Sequence, residues 1–147
     1  MAIWGALGLA IVAGAMIPFQ AGVNVALSRF VGGPSRAAFL SFAVGTVALL
    51  VVSVLATRGL PTLNRASDAP WWVWIGGLLG AFYVFGSIVS APRLGAVTLI
   101  AAVFAGQAVA SLVIDHYGWV GFPEQAISPA RLAGIGLLAA GLALVRT

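Results

Sequence analysis

The chain has 147 residues, 62% of them hydrophobic and only 7% charged, with a mean hydropathy of +1.13. A water-soluble domain of this size needs far more polar surface, so the composition is that of an integral membrane protein. The net charge of +4 comes from seven Arg and no Lys, scattered one or two per loop like interfacial anchors rather than clustered like a nucleic-acid patch, and the lack of Cys excludes disulfides, thiolate catalysis and Cys-ligated metals.

A spanning helix needs about 20 mostly apolar residues, and five runs qualify. The first covers 3–27. It lacks the basic start of a signal peptide, and polar residues with a Pro interrupt the run, so it is read as a retained helix. Arg29, Gly32, Gly33 and Pro34 end it in a short turn. The second covers 35–57, with Pro34 suited to the first helical position and Ser35 able to help cap it. A polar loop follows, with Arg58, Gly59, Pro61, Asn64, Arg65, Ser67 and Asp68.

Pro70 opens the third helix, 70–90, and Trp71, Trp72 and Trp74 place an aromatic belt at its entry. Ala91, Pro92, Arg93, Leu94 and Gly95 read as a tight turn, and the fourth helix covers 96–114. A second polar loop, from Asp115 to Ile127, holds His116, Tyr117, Trp119 and Glu124. Ser128 and Pro129 signal the start of the fifth helix, 128–145. The expected fold is therefore all-α: one transmembrane domain over 1–147 with five spans. No stretch shows the alternation of a membrane β-barrel.

Orientation in the bilayer follows the Lys/Arg difference between short loops. One side carries Arg58, Arg65 and Arg131, and the other Arg29, Arg36, Arg93 and Arg146. Three against four is close to balance, and Arg36 and Arg131 sit within the first turns of their helices. Either the near-balance is chance in a chain with few charges, or the protein inserts both ways up. Dual insertion gives the odd helix count a meaning: two copies in opposite orientation make ten helices in two inverted repeats, a frequent transporter plan with the binding site at the repeat interface.

Several short motifs occur in order: Gln20-Ala-Gly-Val-Asn24, Ser41-Phe42-Ala-Val-Gly45-Thr46, Trp74-Ile-Gly76-Gly77-Leu-Leu-Gly80-Ala81-Phe82, Pro92-Arg93-Leu94-Gly95, Gly106-Gln107 and Asp115-His116-Tyr117-Gly118. By this ordered set, from the first helix to the start of the fifth, the chain resembles the YdcZ-type family of the drug/metabolite transporter superfamily. The resemblance implies a small five-helix inner-membrane protein, found as dual-topology singles, opposed pairs or fused ten-helix forms; this chain is similar to the single form. The plan is also similar in logic to that of the four-helix small multidrug resistance exporters. Those rely on a Glu embedded in the first helix, and this chain has no acidic residue in its first three.

Polar groups within lipid face the bundle interior, a cavity or a partner. Gln20, Asn24 and Ser28 recur at every fourth position and share one helix face. Gln and Asn offer donors and acceptors without charge, and Pro18 beside them deprives the Gly14 carbonyl of its helical partner. This stripe is either a substrate-binding element or a clamp between helices, the latter worth ~0.6 kcal/mol per residue. Gln107, Ser111 and Asp115 form a second stripe of the same spacing, and Tyr83 and Ser87 share a face of the third helix. Asp115 has two readings: a pair with a loop Arg, or a proton relay with His116, a residue type that changes charge near neutrality. Small residues mark close contacts, with Gly76, Gly80, Gly106 and Gly136 the candidates for helix or dimer packing.

The expected function is a secondary transporter that moves a small neutral or amphipathic molecule by alternating access in an antiparallel homodimer. The lipid bilayer and a second, inverted copy are the expected partners, with no cofactor, metal or nucleic acid. A channel-like facilitator or a structural membrane subunit, in which the polar stripes only hold helices together, is the alternative. An intramembrane enzyme is disfavoured, because the one His and two of the three acids fall in a single loop.

Overall fold

The computed structural model describes residues 3–60, 64 and 66–145. Pro61, Arg65 and Arg146, named above, lie outside the described residues. Four α-helices carry the described chain: α1 (Ile3–Val31), α2 (Pro34–Thr57), α3 (Gly76–Tyr117) and α4 (Pro129–Val145). They are apolar around nearly their whole circumference, as suits helices immersed in hydrocarbon.

The third and fourth expected helices are one 42-residue element, α3, broken internally at Gly95 (φ 73°, ψ 168°). An unbroken helix of that length would measure about 63 Å, about twice the ~30 Å hydrocarbon core. The break leaves segments 76–94 and 96–117, each about 30 Å long at ~1.5 Å per residue. The expected turn over residues 91–95 is thus confined to one residue. Inside lipid no water can take up freed backbone groups, so helical bonding continues past Pro92 until Gly95, which tolerates positive φ. Two further boundaries differ. The entry to α3 is a 3₁₀ turn, Trp71–Ile75, capped by Pro70, and α3 runs on to Tyr117 rather than stopping before Asp115.

The chain forms two compact units, Met1–Pro92 and Arg93–Thr147. In the first, α1 continues through Pro18 and ends where Gly32 (φ 82°) and Gly33 (φ 128°) reverse the chain. The Gly33 N–H donates to the Ser28 carbonyl at 2.8 Å, and Pro34 occupies the start of α2. The Arg36 guanidinium reaches back to the Val31 carbonyl at 3.5 Å, beside the negative end of the α1 dipole. Ala37 and Ala38 of α2 meet Val84 and Ile88 of α3 in a buried cluster, with Val25, Leu27, Val31 and Tyr83 packed against it. Two alanines at this crossing let the backbones approach closely. Around the cluster the helices turn large side chains outward: Phe39, Leu49, Leu78 and Phe82 are each at least 71% exposed. Lipid, or another protein surface, accommodates such a surface and water does not.

In the second unit the 96–117 segment and α4 run antiparallel. At one end the Thr98 hydroxyl donates to the Val145 carbonyl at 3.3 Å. At the other, the Asp115 carbonyl accepts from the Gln125 N–H at 2.7 Å and the Gly118 N–H at 3.4 Å, which folds the connecting loop back over the helix end. Ser128 caps α4, its hydroxyl accepting from the Arg131 N–H at 3.3 Å.

Candidate functional site

In the first unit, Ile17, Gln20, Ala21 and Asn24 of α1 face Tyr83, Val84 and Ser87 of α3 across a crevice. Four residues expected at a binding site, Gln20, Asn24, Tyr83 and Ser87, are thus brought together. They reach it by helical periodicity: Gln20 and Asn24 stand one turn apart, as do Tyr83 and Ser87. The crevice holds about 170 Å³ of empty space but no position for a water molecule. It is therefore closed.

Asn24 is 3% exposed and Ser87 6%. They are the buried polar residues among those described, and neither side chain bonds another described residue. Gln20 and Tyr83 lie at the more open edge of the crevice. No charged side chain lines it. An amide and hydroxyls in a dry, uncharged slot can recognise a neutral group bearing donors and acceptors, and they penalise an ion, which would be desolvated without a counter-charge. Ser28, the third member of the α1 stripe, donates its hydroxyl to the Val25 carbonyl at 2.7 Å and is thereby occupied.

The second unit holds a wider groove of about 280 Å³, lined by Ala108, Ser111, Leu112, Asp115, Arg131, Gly134, Ile135 and Leu138. Ser111 and Asp115 of the second stripe meet there. Gln107, two turns from Asp115, is exposed and does not line the groove. Asp115 Oδ2 accepts from Arg131 Nη2 at 2.8 Å, and the same nitrogen donates to Gln125 Oε1 at 2.6 Å. The loop-arginine reading of Asp115 is the arrangement found. His116 packs edge-on against Tyr117, which stacks on Trp119, and His116 Nδ1 is buried without a partner. Sequence reasoning did not single out Arg131 and Gln125 as partners of Asp115. Their signal was position alone, since all three flank the loop that joins α3 to α4.

Of the four glycines expected in packing, Gly80 touches its own chain: a Cβ there would lie 3.4 Å from the Phe42 ring. At Gly76, Gly106 and Gly136 a Cβ would meet no atom of the chain within 4 Å.

The family model described as "Putative inner membrane exporter, YdcZ" matches residues 5–144. Inner membrane protein YdcZ of Escherichia coli (strain K12) is 37% identical over 111 residues, which cover 74% of this chain and 72% of that protein. No solved structure matches the chain.

Proposed function

The chain belongs to the YdcZ family of inner-membrane exporters, and from that premise we propose that it moves a small neutral or amphipathic molecule across the inner membrane by alternating access in an antiparallel homodimer. The observation that carries the reading is the crevice of Asn24 and Ser87: two buried polar groups left unbonded in a slot without charge. Burying such groups without partners costs about 1–3 kcal/mol each, and a substrate that bonds them repays part of that cost. The crevice, too narrow for water, is the occluded form of the site, which opens as α1 and α3 part.

Each copy contributes five spans to a ten-helix assembly: α1, α2, the two segments of α3, and α4. The near-balance of Arg between the loops and the odd number of spans support opposed copies. The exposed apolar side chains of the helices supply the surface that a second copy and lipid would cover. Gly106 and Gly136, open within their own chain, are the candidate contacts between copies. The chemistry is passage of a solute, as the exporter family implies, and Gln107 and Ser111 stand on a separate polar stripe along the path.

Reconstituted flux tests the reading. Proteoliposomes loaded with N-phenyl-1-naphthylamine, a neutral amphipathic probe, or glycerol, a neutral polar one, are expected to release one of them faster than empty liposomes. Asn24→Ala should lose that excess. Equal release by protein-containing and empty liposomes for both probes would remove the substrate class assigned here.

A further inference from the structure

We propose that the groove between residues 108–115 and 131–138 is a second ligand site, separate from the Asn24 crevice, that takes a single-chain amphiphile with an anionic head. Three observations meet there. The groove has room for about nine groups the size of a water molecule, at ~30 Å³ each. That is enough for one alkyl chain and too little for a two-chain lipid. Its wall changes character along its length. Asp115, Arg131 and Ser111 stand at one end, and Ala108, Leu112, Gly134, Ile135 and Leu138 form the rest. The polar end adjoins the loop that closes the helix pair, so the head lies towards the membrane surface and the tail runs inward between the helices.

The third observation concerns Arg131. Its Nη2 carries both bonds of the cluster, to Asp115 at 2.8 Å and to Gln125 at 2.6 Å. Its Nη1 is buried and has no acceptor within the chain. A guanidinium offers five N–H donors in a rigid fork suited to two-pronged binding of carboxylate or phosphate. Asp115 satisfies one prong. The free Nη1 calls for a further acceptor, and an anionic head supplies one without displacing Asp115. The Ser111 hydroxyl, one turn along α3 from Asp115, lines the same end and provides a neutral donor to the head. Charged groups facing a cavity within a membrane protein are retained for a ligand or an ion pathway more often than for stability.

The test is equilibrium binding to the full chain in phosphatidylcholine nanodiscs, with dodecanoate as probe and dodecanol as its uncharged match. Wild type is expected to bind dodecanoate at least tenfold more tightly than dodecanol. Arg131→Gln should reduce that preference to less than threefold. Because Arg131→Gln also breaks the pair with Asp115, Gly134→Leu serves as a second variant. A Cβ at Gly134 meets nothing within 4 Å, so Leu fills the groove while the ion pair stays in place. It is expected to lose binding of both probes. Equal binding of dodecanoate and dodecanol by wild type would overturn the site, as would undiminished binding by Gly134→Leu. Complete displacement of dodecanoate by phosphatidylglycerol in the disc would assign the groove to membrane lipid and overturn the single-chain ligand. None of these readouts depends on flux of N-phenyl-1-naphthylamine or glycerol, so this site and the Asn24 site stand or fall apart.

Discussion

Asn24 of α1 and Ser87 of α3 are buried on opposite walls of one crevice, and neither side chain has a hydrogen-bond partner among the described residues. For a protein held together only by its own packing, this is an expense without return. An unbonded amide in the interior costs about 1–3 kcal/mol, whereas an apolar side chain of the same shape is neutral or stabilising there.

Asn24→Leu is therefore expected to raise the melting temperature in detergent, by about 1 kcal/mol of stability, and to lower flux at least tenfold. If Asn24 instead clamps helices, the same substitution lowers stability and flux together. Thermal melting and proteoliposome release, measured on one preparation, separate the two outcomes.

Gly80 packs against Phe42, and its neighbours at Gly76, Gly106 and Gly136 touch nothing in their own chain. Gly80→Ala brings a methyl to van der Waals distance from the ring and is expected to change stability by less than ~1 kcal/mol. Gly80→Leu overpacks the site and should cost about 1–3 kcal/mol, recovered in part by Phe42→Ala in the double variant. Gly136→Leu should leave the melt of the single chain unaltered and weaken self-association if α4 is a contact between copies. Analytical ultracentrifugation in density-matched detergent reads the difference.

Asp115 and Arg131 form a charge-assisted bond with side chains 21% and 33% exposed. Bonds of this kind contribute about 1.5–3 kcal/mol, and partial exposure moves the expectation to the lower end of that range. Asp115→Asn and Arg131→Gln should each destabilise. The double variant should be less destabilised than the sum, with a coupling of about 1 kcal/mol or more. Additive losses in chemical denaturation would mean that the pair contributes no mutual stability.

Much of this architecture is written in hydropathy. The bounds of α1 and α2 follow from the apolar runs, Pro34 and the Gly32-Gly33 turn, because glycine is the residue that adopts φ of 82° and 128° without strain. The Asn24 crevice is half legible. Polar periodicity puts Gln20 and Asn24 on one face of α1, and Tyr83 and Ser87 on one face of α3. It does not say that those two faces meet. That is decided by packing around Ala37, Ala38, Val84 and Ile88, and an apolar pattern all around each helix carries no preferred face. The turn at residues 91–95 was read too broadly. Proline and arginine signal a loop in water, but in lipid the helix is the cheapest state for every backbone group. The Asp115–Arg131 pair depends on how the loop over residues 118–128 folds, which local spacing does not encode.

The remaining prediction concerns orientation, on which the homodimer reading rests. With three Arg facing four across the loops, a few added charges should decide the matter, since short-loop Lys and Arg set topology. Ser67→Lys with Glu124→Lys biases the chain one way, and Ser35→Lys with Leu94→Lys biases it the other. In wild type, a reporter fused to the C-terminus is expected to signal from both sides of the inner membrane. In each biased variant it should signal from one. Alone, each biased form should retain under a tenth of wild-type flux, because copies of a single orientation cannot build the inverted pair. Expressed together, the two should recover at least half of it. The rescue is the informative arm: four surface lysines that merely damaged the fold would leave the mixture as inactive as its parts. Full activity in either biased variant on its own would mean that one orientation suffices and that the site needs no inverted twin.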